Sequence, residues 1–241
     1  MSGKMLTRCI LFFWPACLVL IFASNVSAQQ TDIKQLEIYS GFTYFETPAF
    51  NLAERGYHLQ AGYNARRWVG LGFDYSIVTG HNSLTTNLLT PAYQAQIDAL
   101  LALLKEEGVI PPNYQLSVPT DNTTYTLAAG PQLVYRHYIP FTLFVRPSIG
   151  AIHETATPRP TDPVSTAIVM GLVPSGKKTD WTGFYGFGGG FDWNATSHFG
   201  LRAQVDLVHN HLFSDLLEDG RWTTRLSIGP VFRFGRNIAA K

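Results

Sequence analysis

The chain of 241 residues carries 18 basic and 17 acidic side chains, for a net charge of +1, and has no basic tract, which argues against a nucleic-acid partner. Both cysteines, Cys9 and Cys17, lie near the start of the chain, so no disulfide framework is available to the rest of it.

Lys4 and Arg8 precede an apolar run, Cys9 to Ala23, and Val26-Ser27-Ala28 then gives the small-x-small form of a signal-peptidase site. The apolar run is shorter than the stretch of about 20 residues that spans a bilayer, so a cleaved leader over residues 1–28 is expected, with a single domain over 29–241. Cys17 is not read as a lipoprotein site, because Trp14-Pro15-Ala16 precedes it and more apolar residues follow. Cleavage removes Lys4, Arg8 and both cysteines, and takes the net charge from +1 to −1. An exported chain without thiols fits a Gram-negative envelope better than a disulfide-stapled secreted module.

No second long apolar run follows, and the chain instead breaks into alternating segments. Leu36–Phe45, Gly56–Asn64, Trp68–Val78, Thr124–Arg136, Phe141–His153, Trp181–Trp193, Phe199–Val208 and Trp222–Phe234 make eight, each near or above the length of a tilted spanning strand. An even number permits antiparallel closure with no free edge, which lipid demands because unpaired backbone groups there cost several kcal/mol each. Connections near 65–67, 137–140 and 194–198 are tight, whereas those near 46–55, 79–123, 154–180 and 209–221 are longer. Short and long ends thus fall on opposite sides, as periplasmic turns and extracellular loops do. The expected fold is all-β: an eight-stranded antiparallel up-and-down transmembrane β-barrel with one helix in the second extracellular loop.

The last segment sets the phase. Trp222, Thr224, Leu226, Ile228, Pro230, Phe232 and Phe234 share one face, while Thr223, Arg225, Ser227, Gly229, Val231 and Arg233 share the other. In the sixth segment Trp181 and Trp193 share a face twelve residues apart, which projects to roughly 30 Å at a tilt near 40°, the span between two aromatic girdles. Tyr125 and Tyr135 repeat this spacing in the fourth segment. The opposite faces combine glycine with charge, and a narrow barrel is filled by side chains. Arg146, Arg202, Arg225 and Arg233 are therefore expected to pair inside the lumen with some of Asp74, Asp192 and Asp206.

Two features complicate the simple barrel. Pro131, Pro147 and Pro230 fall inside segments, on the lipid face, where bulges or kinks are expected. In the second long connection Thr90 can cap a helix that has Pro91 in its first turn, Ile97, Leu100, Leu101 and Leu104 at helical spacing, and Gly108 at its end. The apolar stripe of this helix, near residues 91–107, is expected to pack over the rim of its own barrel, with docking on a partner or dipping into the outer leaflet as the alternatives.

The leader, the Phe187–Trp193 run FGGGFDW with Ser197–Asp206, and the closing RLSIGPVFRFG together make the chain resemble the small outer-membrane β-barrels of the OmpA-like or opacity-porin superfamily. The resemblance implies an outer-membrane location among lipids and lipopolysaccharide, and contact with the barrel-assembly machinery during biogenesis. Ser227, Gly229, Phe232 and Phe234 match the polar, glycine, hydrophobic and aromatic positions of that family's assembly signal. Residues 235–241 extend past the terminal aromatic, unlike many members. No peptidoglycan-binding domain follows the barrel, so cell-wall tethering is not implied.

The expected function is a non-enzymatic envelope barrel with a structural, adhesion or ligand-binding role through its loops, and no cofactor or metal is expected. An alternative, by resemblance to lipid A deacylases, is an outer-membrane lipid-modifying hydrolase drawing on His81 with Ser83, His153, His209 or His211. Another is a narrow low-conductance pore. His209 and His211 lack an evident third metal ligand, and the sequence specifies no extracellular ligand or adhesion target.

Overall fold

A computed structural model describes residues 30–217 and 220–239. The expected leader, with both cysteines, lies outside the described residues. Eight antiparallel strands close into a ring: β1 (Lys34–Thr47), β2 (Leu52–Arg66), β3 (Val69–Thr85), β4 (Ser117–Tyr135), β5 (Phe141–Pro158), β6 (Lys178–Asn194), β7 (Phe199–Asn210) and β8 (Arg221–Asn237). Each strand pairs with its neighbours in sequence, and β8 returns to β1 through pairs such as Phe42↔Ile228 and Glu46↔Thr224.

The alternation of side chains is what makes the ring amphipathic. Ile38, Phe42, Phe73, Leu127, Ile149, Phe187, Ile228 and Phe232 stand exposed on the outer face, an arrangement that only a hydrocarbon surrounding tolerates. Tyr125, Trp181, Tyr185 and Trp222 lie toward one end of this belt, and Tyr135 and Trp193 toward the other. In β8 the burial alternates residue by residue from Arg221 to Phe232, with the odd-numbered positions inside.

Several expectations need correction. The first connection, expected to be long, is a single 3-10 turn at Pro48–Phe50 closed by Asn51, whose φ of 49° is left-handed and whose N–H donates to the Pro48 carbonyl at 3.2 Å. Proline starts this turn and asparagine tolerates its end, so β1 and β2 run on to the pair Thr47↔Leu52. The second connection shrinks to 86–116, because β3 and β4 stay paired as far as Thr85↔Ser117. The third and fourth likewise contract, to 159–177 and 211–220.

The prolines do not bulge the sheet. Between β4 and β5 the register is the same on both sides of Pro131 and Pro147, from Ala129↔Ile149 to Leu133↔Val145. It is equally constant past Pro230 between Phe42↔Ile228 and Tyr39↔Val231. Each proline is held by its other neighbour, through Leu71↔Pro131, Pro147↔Phe187 and Leu201↔Pro230, so pairing is interrupted locally without slipping. Among the described residues, register shifts occur only at Lys34/Leu36 and Asn64/Arg66, at the end carrying the tight turns.

Among the described residues two α-helices sit beyond the barrel, not one. The expected helix α1 spans Pro91–Glu106 and ends at Glu107-Gly108, where Gly108 takes a φ of 71°. Thr90 does not cap it with its side chain, and its backbone N–H donates to the Leu216 carbonyl at 3.0 Å. Ile97 and Leu101 are buried and Leu104 packs beside them, whereas Leu100 of the expected stripe is exposed. Helix α2, Pro163–Leu172, was not foreseen from the sequence. Its start signal is nonetheless local: Asp162 accepts the N–H groups of Val164 and Ser165 at 2.9 Å each, Ser165 Oγ accepts from the Asp162 N–H at 3.2 Å, and Pro163 fills the first turn.

A charge at the middle of the belt tests the membrane reading. Phe73→Arg is expected to destabilise the barrel by about 2–4 kcal/mol, read as a lower urea midpoint for the heat-modifiable gel band of protein refolded into lipid vesicles.

Candidate functional site

The lumen is layered along the barrel axis. Toward the periplasmic end, Arg202 donates from Nε to Asp192 at 2.7 Å, from Nη2 to Glu37 at 2.8 Å and from Nη1 to Gln60 at 2.9 Å. Its guanidinium also lies 4.6 Å from the centre of the Phe144 ring. Arg233 pairs with Asp192 and approaches Glu37 at 3.9 Å. Beneath them Arg136 reaches Asn64 at 2.7 Å and the Arg67 carbonyl at 2.5 Å.

A second cluster follows near mid-height. Arg146 pairs with Asp74 at 2.7 Å and approaches Asp206 at 3.7 Å, while Arg225 pairs with Asp206 at 2.9 Å. His58 donates from Nε2 to Asp74 at 2.9 Å and sets Nδ1 3.1 Å from Ser227 Oγ. All seven charged lumen residues named from the sequence are thus brought together in these two clusters. Glu37 and His58 were missed, although both lie on the inward phase of their strands. Space for such side chains comes from absent ones. A Cβ on Gly72 would sit 2.9 Å from Arg146 Nη1, and one on Gly188 would sit 1.9 Å from Asp206 Oδ1.

Above the charges comes an apolar layer that the sequence reading did not anticipate. Phe45, Val78, Ala128, Ile152, Phe184 and Val208 close the lumen, with Leu212 and Phe213 of the last extracellular loop packed onto them. Phe184 shares the phase of Gly186, Gly188 and Gly190, so its inward direction was legible from parity alone.

The extracellular connections then build a common head. Leu89, Ile97, Leu101, Ile110, Leu116, Val118, Ile168, Val169 and Leu216 form one buried cluster, joining α1, α2, the tip of β4 and the last loop. A bridge between Leu89 and Leu217 ties the second connection to the fourth, and the hydroxyl of Tyr114 donates to the Asp162 carboxylate at 3.0 Å, tying the second to the third. The backbone hydrogen bond from Ser165, with further help from the Ser165 side chain, Tyr114 and Val164, holds the Asp162 carboxyl below its ordinary range. Burial and this same carboxylate push the Tyr114 phenol up to about 12.

The assembly-signal candidates occupy both faces of β8. Ser227 lies in the lumen and donates to Thr43 at 3.0 Å, while Phe232 and Phe234 face lipid. Gly229 lies where a Cβ would come within 2.3 Å of the Ser40 carbonyl across the β1/β8 seam.

The candidate hydrolase residues scatter. His153 stacks on Trp181 at 4.6 Å, and His209 lies between Tyr185 and Trp222 at 5.1 and 5.0 Å, with His211 4.9 Å away, so all three belong to the upper aromatic girdle. His81 meets Asp121 at 2.7 Å, and Arg159 donates to the second oxygen of that carboxylate at 3.0 Å. Ser83, two residues along on the same exposed face, makes no hydrogen bond to His81. No cluster of three or more His, Cys, Asp or Glu side chains suited to a metal occurs among the described residues.

No protein-family model matches the chain, and no curated protein matches it. Solved structures do. Neisserial surface protein A is similar at 10% identity, over 83% of this chain and 96% of that one, with a TM-score of 0.50. A major outer membrane protein from Thermus thermophilus follows at 11% identity, over 82% and 99%, with a TM-score of 0.48. The attachment invasion locus protein Ail of Yersinia pestis aligns at 12% identity, over 85% and 100%, with a TM-score of 0.44. The chain has the fold of the eight-stranded outer-membrane barrels.

Two predictions follow the layers. Arg202→Leu leaves Glu37 and Asp192 short of their main partner and is expected to cost about 3–5 kcal/mol, whereas Arg66→Leu, on an exposed position, should stay within about 0.5 kcal/mol; urea titration of the refolded band compares them. Asp162 has a depressed folded-state pKa, so its contribution is full above the ordinary carboxylate range and is lost as pH falls through the folded value. Asp162→Ala should loosen α2 at neutral pH, and protease nicking between residues 159 and 177 should show acid reproducing that loosening in the native chain.

Proposed function

We propose that this protein is an exported, non-enzymatic outer-membrane barrel whose folded extracellular head is a binding surface. One observation carries the reading: three extracellular connections share a single hydrophobic cluster, so the loops form a rigid platform rather than independent strands of coil. The barrel below it acts as an anchor. Its belt meets outer-membrane lipids and lipopolysaccharide, and Ser227, Gly229, Phe232 and Phe234 serve as the signal read by the assembly machinery. Export depends on the leader, with the mature chain starting at Gln29.

The filled lumen opposes a pore. Two fully buried arginines, their carboxylates and the apolar layer of Phe45, Val78, Ile152 and Phe184 stand in series along the axis, and bilayer recordings should show no stable conductance. The decisive experiment is display on a barrel-competent host. Cells carrying the native chain should gain adherence to a panel of matrix proteins, glycans and lipopolysaccharides, and Leu101→Asp, which breaks the head cluster, should lose it while keeping the heat-modifiable barrel. Equal adherence by native and empty cells would sink the proposal.

A second reading, the lipid-modifying hydrolase, is favoured by the His81–Asp121 contact with Ser83 on the same face. It needs Ser83 Oγ to reach the imidazole, and the bond is not made. Mass spectrometry of lipid A from expressing cells decides it: a lost acyl chain that returns in Ser83→Ala would establish hydrolysis and overturn the non-enzymatic reading.

A further inference from the structure

At the periplasmic end, residues 30–34 and the tight turns enclose a cavity of about 240 Å³, and Lys34, Arg136 and Arg233 all line it. Asp32 is the one carboxylate on its wall, and it is bound to Lys34 at 3.0 Å. The rest of the lining is uncharged, made of amides and hydroxyls such as Asn64, Asn194 and Ser197 together with Ile139 and Ala195. Ala195 and Thr196 are exposed on the turn between β6 and β7, so the cavity opens toward periplasmic water.

Charge balance singles out Arg136. From the mouth to mid-height Arg146, Arg202, Arg225 and Arg233 are matched in number by Asp74, Asp206, Glu37 and Asp192, with which they form the lumen ion pairs. Arg136 is only 6% exposed, and its guanidinium meets two neutral acceptors, the Asn64 side-chain oxygen at 2.7 Å and the Arg67 carbonyl at 2.5 Å. Among the described residues no carboxylate lies within 4.0 Å of it. Glu37 and Asp192 attract it from farther off, but Arg202 and Arg233 already claim both carboxylates and repel it in turn. The periplasmic turns and the chain after β8 as far as Ala239 add Arg67, His137 and His198 and no acid. The mouth thus holds at least one positive charge more than its own carboxylates neutralise, at a buried position where an uncompensated charge is costly.

We propose that the periplasmic mouth is a binding site for a small soluble oxyanion, a carboxylate or a phosphate held against the Arg136 guanidinium. The excess charge selects an anion. The N–H groups that Arg136 does not spend on Asn64 and Arg67 remain for it, and a guanidinium fork suits a group with two or more oxygens better than a halide. Size admits a guest of several heavy atoms, since one water needs roughly 10–15 Å³ measured in the same way. Position favours a solute over a lipid headgroup, because the cavity lies inside the ring while Tyr135 and Trp193 face lipid outside it. The site stands at the opposite end of the barrel from the extracellular head and does not rest on the head's binding role.

The test is titration of the purified barrel, refolded in non-ionic detergent, with sodium phosphate and with sodium acetate, each replacing sodium chloride at constant ionic strength and read by calorimetry and by the urea midpoint. At least one of the two oxyanions should bind with saturation and raise the midpoint above its value in chloride. Arg136→Gln should weaken that binding by roughly tenfold or more, the worth of a charge-assisted hydrogen bond. Ala195→Trp, which fills the cavity from its exposed rim and leaves the guanidinium in place, should abolish binding, and it keeps the question answerable if Arg136→Gln fails to fold. No effect beyond that of chloride, or undiminished binding in either variant, would overturn the site. Saturable binding of phosphatidylglycerol added to the detergent, with none of either soluble anion, would overturn it equally by assigning the mouth to a lipid headgroup.

Discussion

The closure of β8 onto β1 is the constraint on which everything else rests. In hydrocarbon no water can satisfy an unpaired N–H or C=O, so the last strand must find the first, and the seam between them must be as tight as any other. Gly229 and Gly41 show how tight it is. A Cβ on either would strike a backbone carbonyl of the facing strand, at 2.3 and 2.5 Å, and the Tyr39 ring lies along Gly41 in place of a side chain there. The glycine in the closing motif therefore has a steric duty in the finished barrel in addition to any role in assembly.

Closure with eight strands fixes the bore, and the bore dictates its contents. Side chains must fill it, and the strands alternate so strictly that half of all their residues are inward candidates. Charge can be placed there only as complete sets. Asp192 serves both Arg202 and Arg233, Asp206 serves Arg225 and approaches Arg146, and Asp74 takes Arg146 and His58 together. Such sharing spreads the desolvation cost over a network, so that removing one member strands several others. Toward the outside the filling changes character, from ion pairs to the apolar cluster of Phe45, Val78, Ile152 and Phe184.

Legibility in the sequence followed the physics of each part. The strands, their parity and the charged lumen residues were readable, because a period of two imposed by lipid leaves no freedom to disguise it. Glu37 and Phe184 obey the same parity, each on the inward phase of its strand. The turn at Pro48–Asn51 was mistaken for a long loop because the strand alternation continues through Glu46 and Thr47 on residues that also suit loops. Helix α2 was hidden by its length, ten residues with an apolar face too short to show a period, although Asp162-Pro163 with Ser165 spells its start. The buried carboxylates Glu54 and Glu154 were the least legible. Their setting depends on which side chains surround them, and those come from the last loop and from the far sides of the ring.

The head and the barrel are coupled through that least legible region. Phe213 and Leu212 come from the last loop yet pack into the layer that closes the lumen, and Leu216 and Leu217, a few residues on, pack with the head. Phe213 itself holds a left-handed backbone, φ 53°, with its N–H donated to the Asp180 carboxylate at 2.5 Å. A non-glycine residue keeps that conformation only when its surroundings compensate, here by burial of the ring and by that hydrogen bond. The carboxylate of Asp180, on the strand that carries Phe184 into the lumen, thus positions the last extracellular loop.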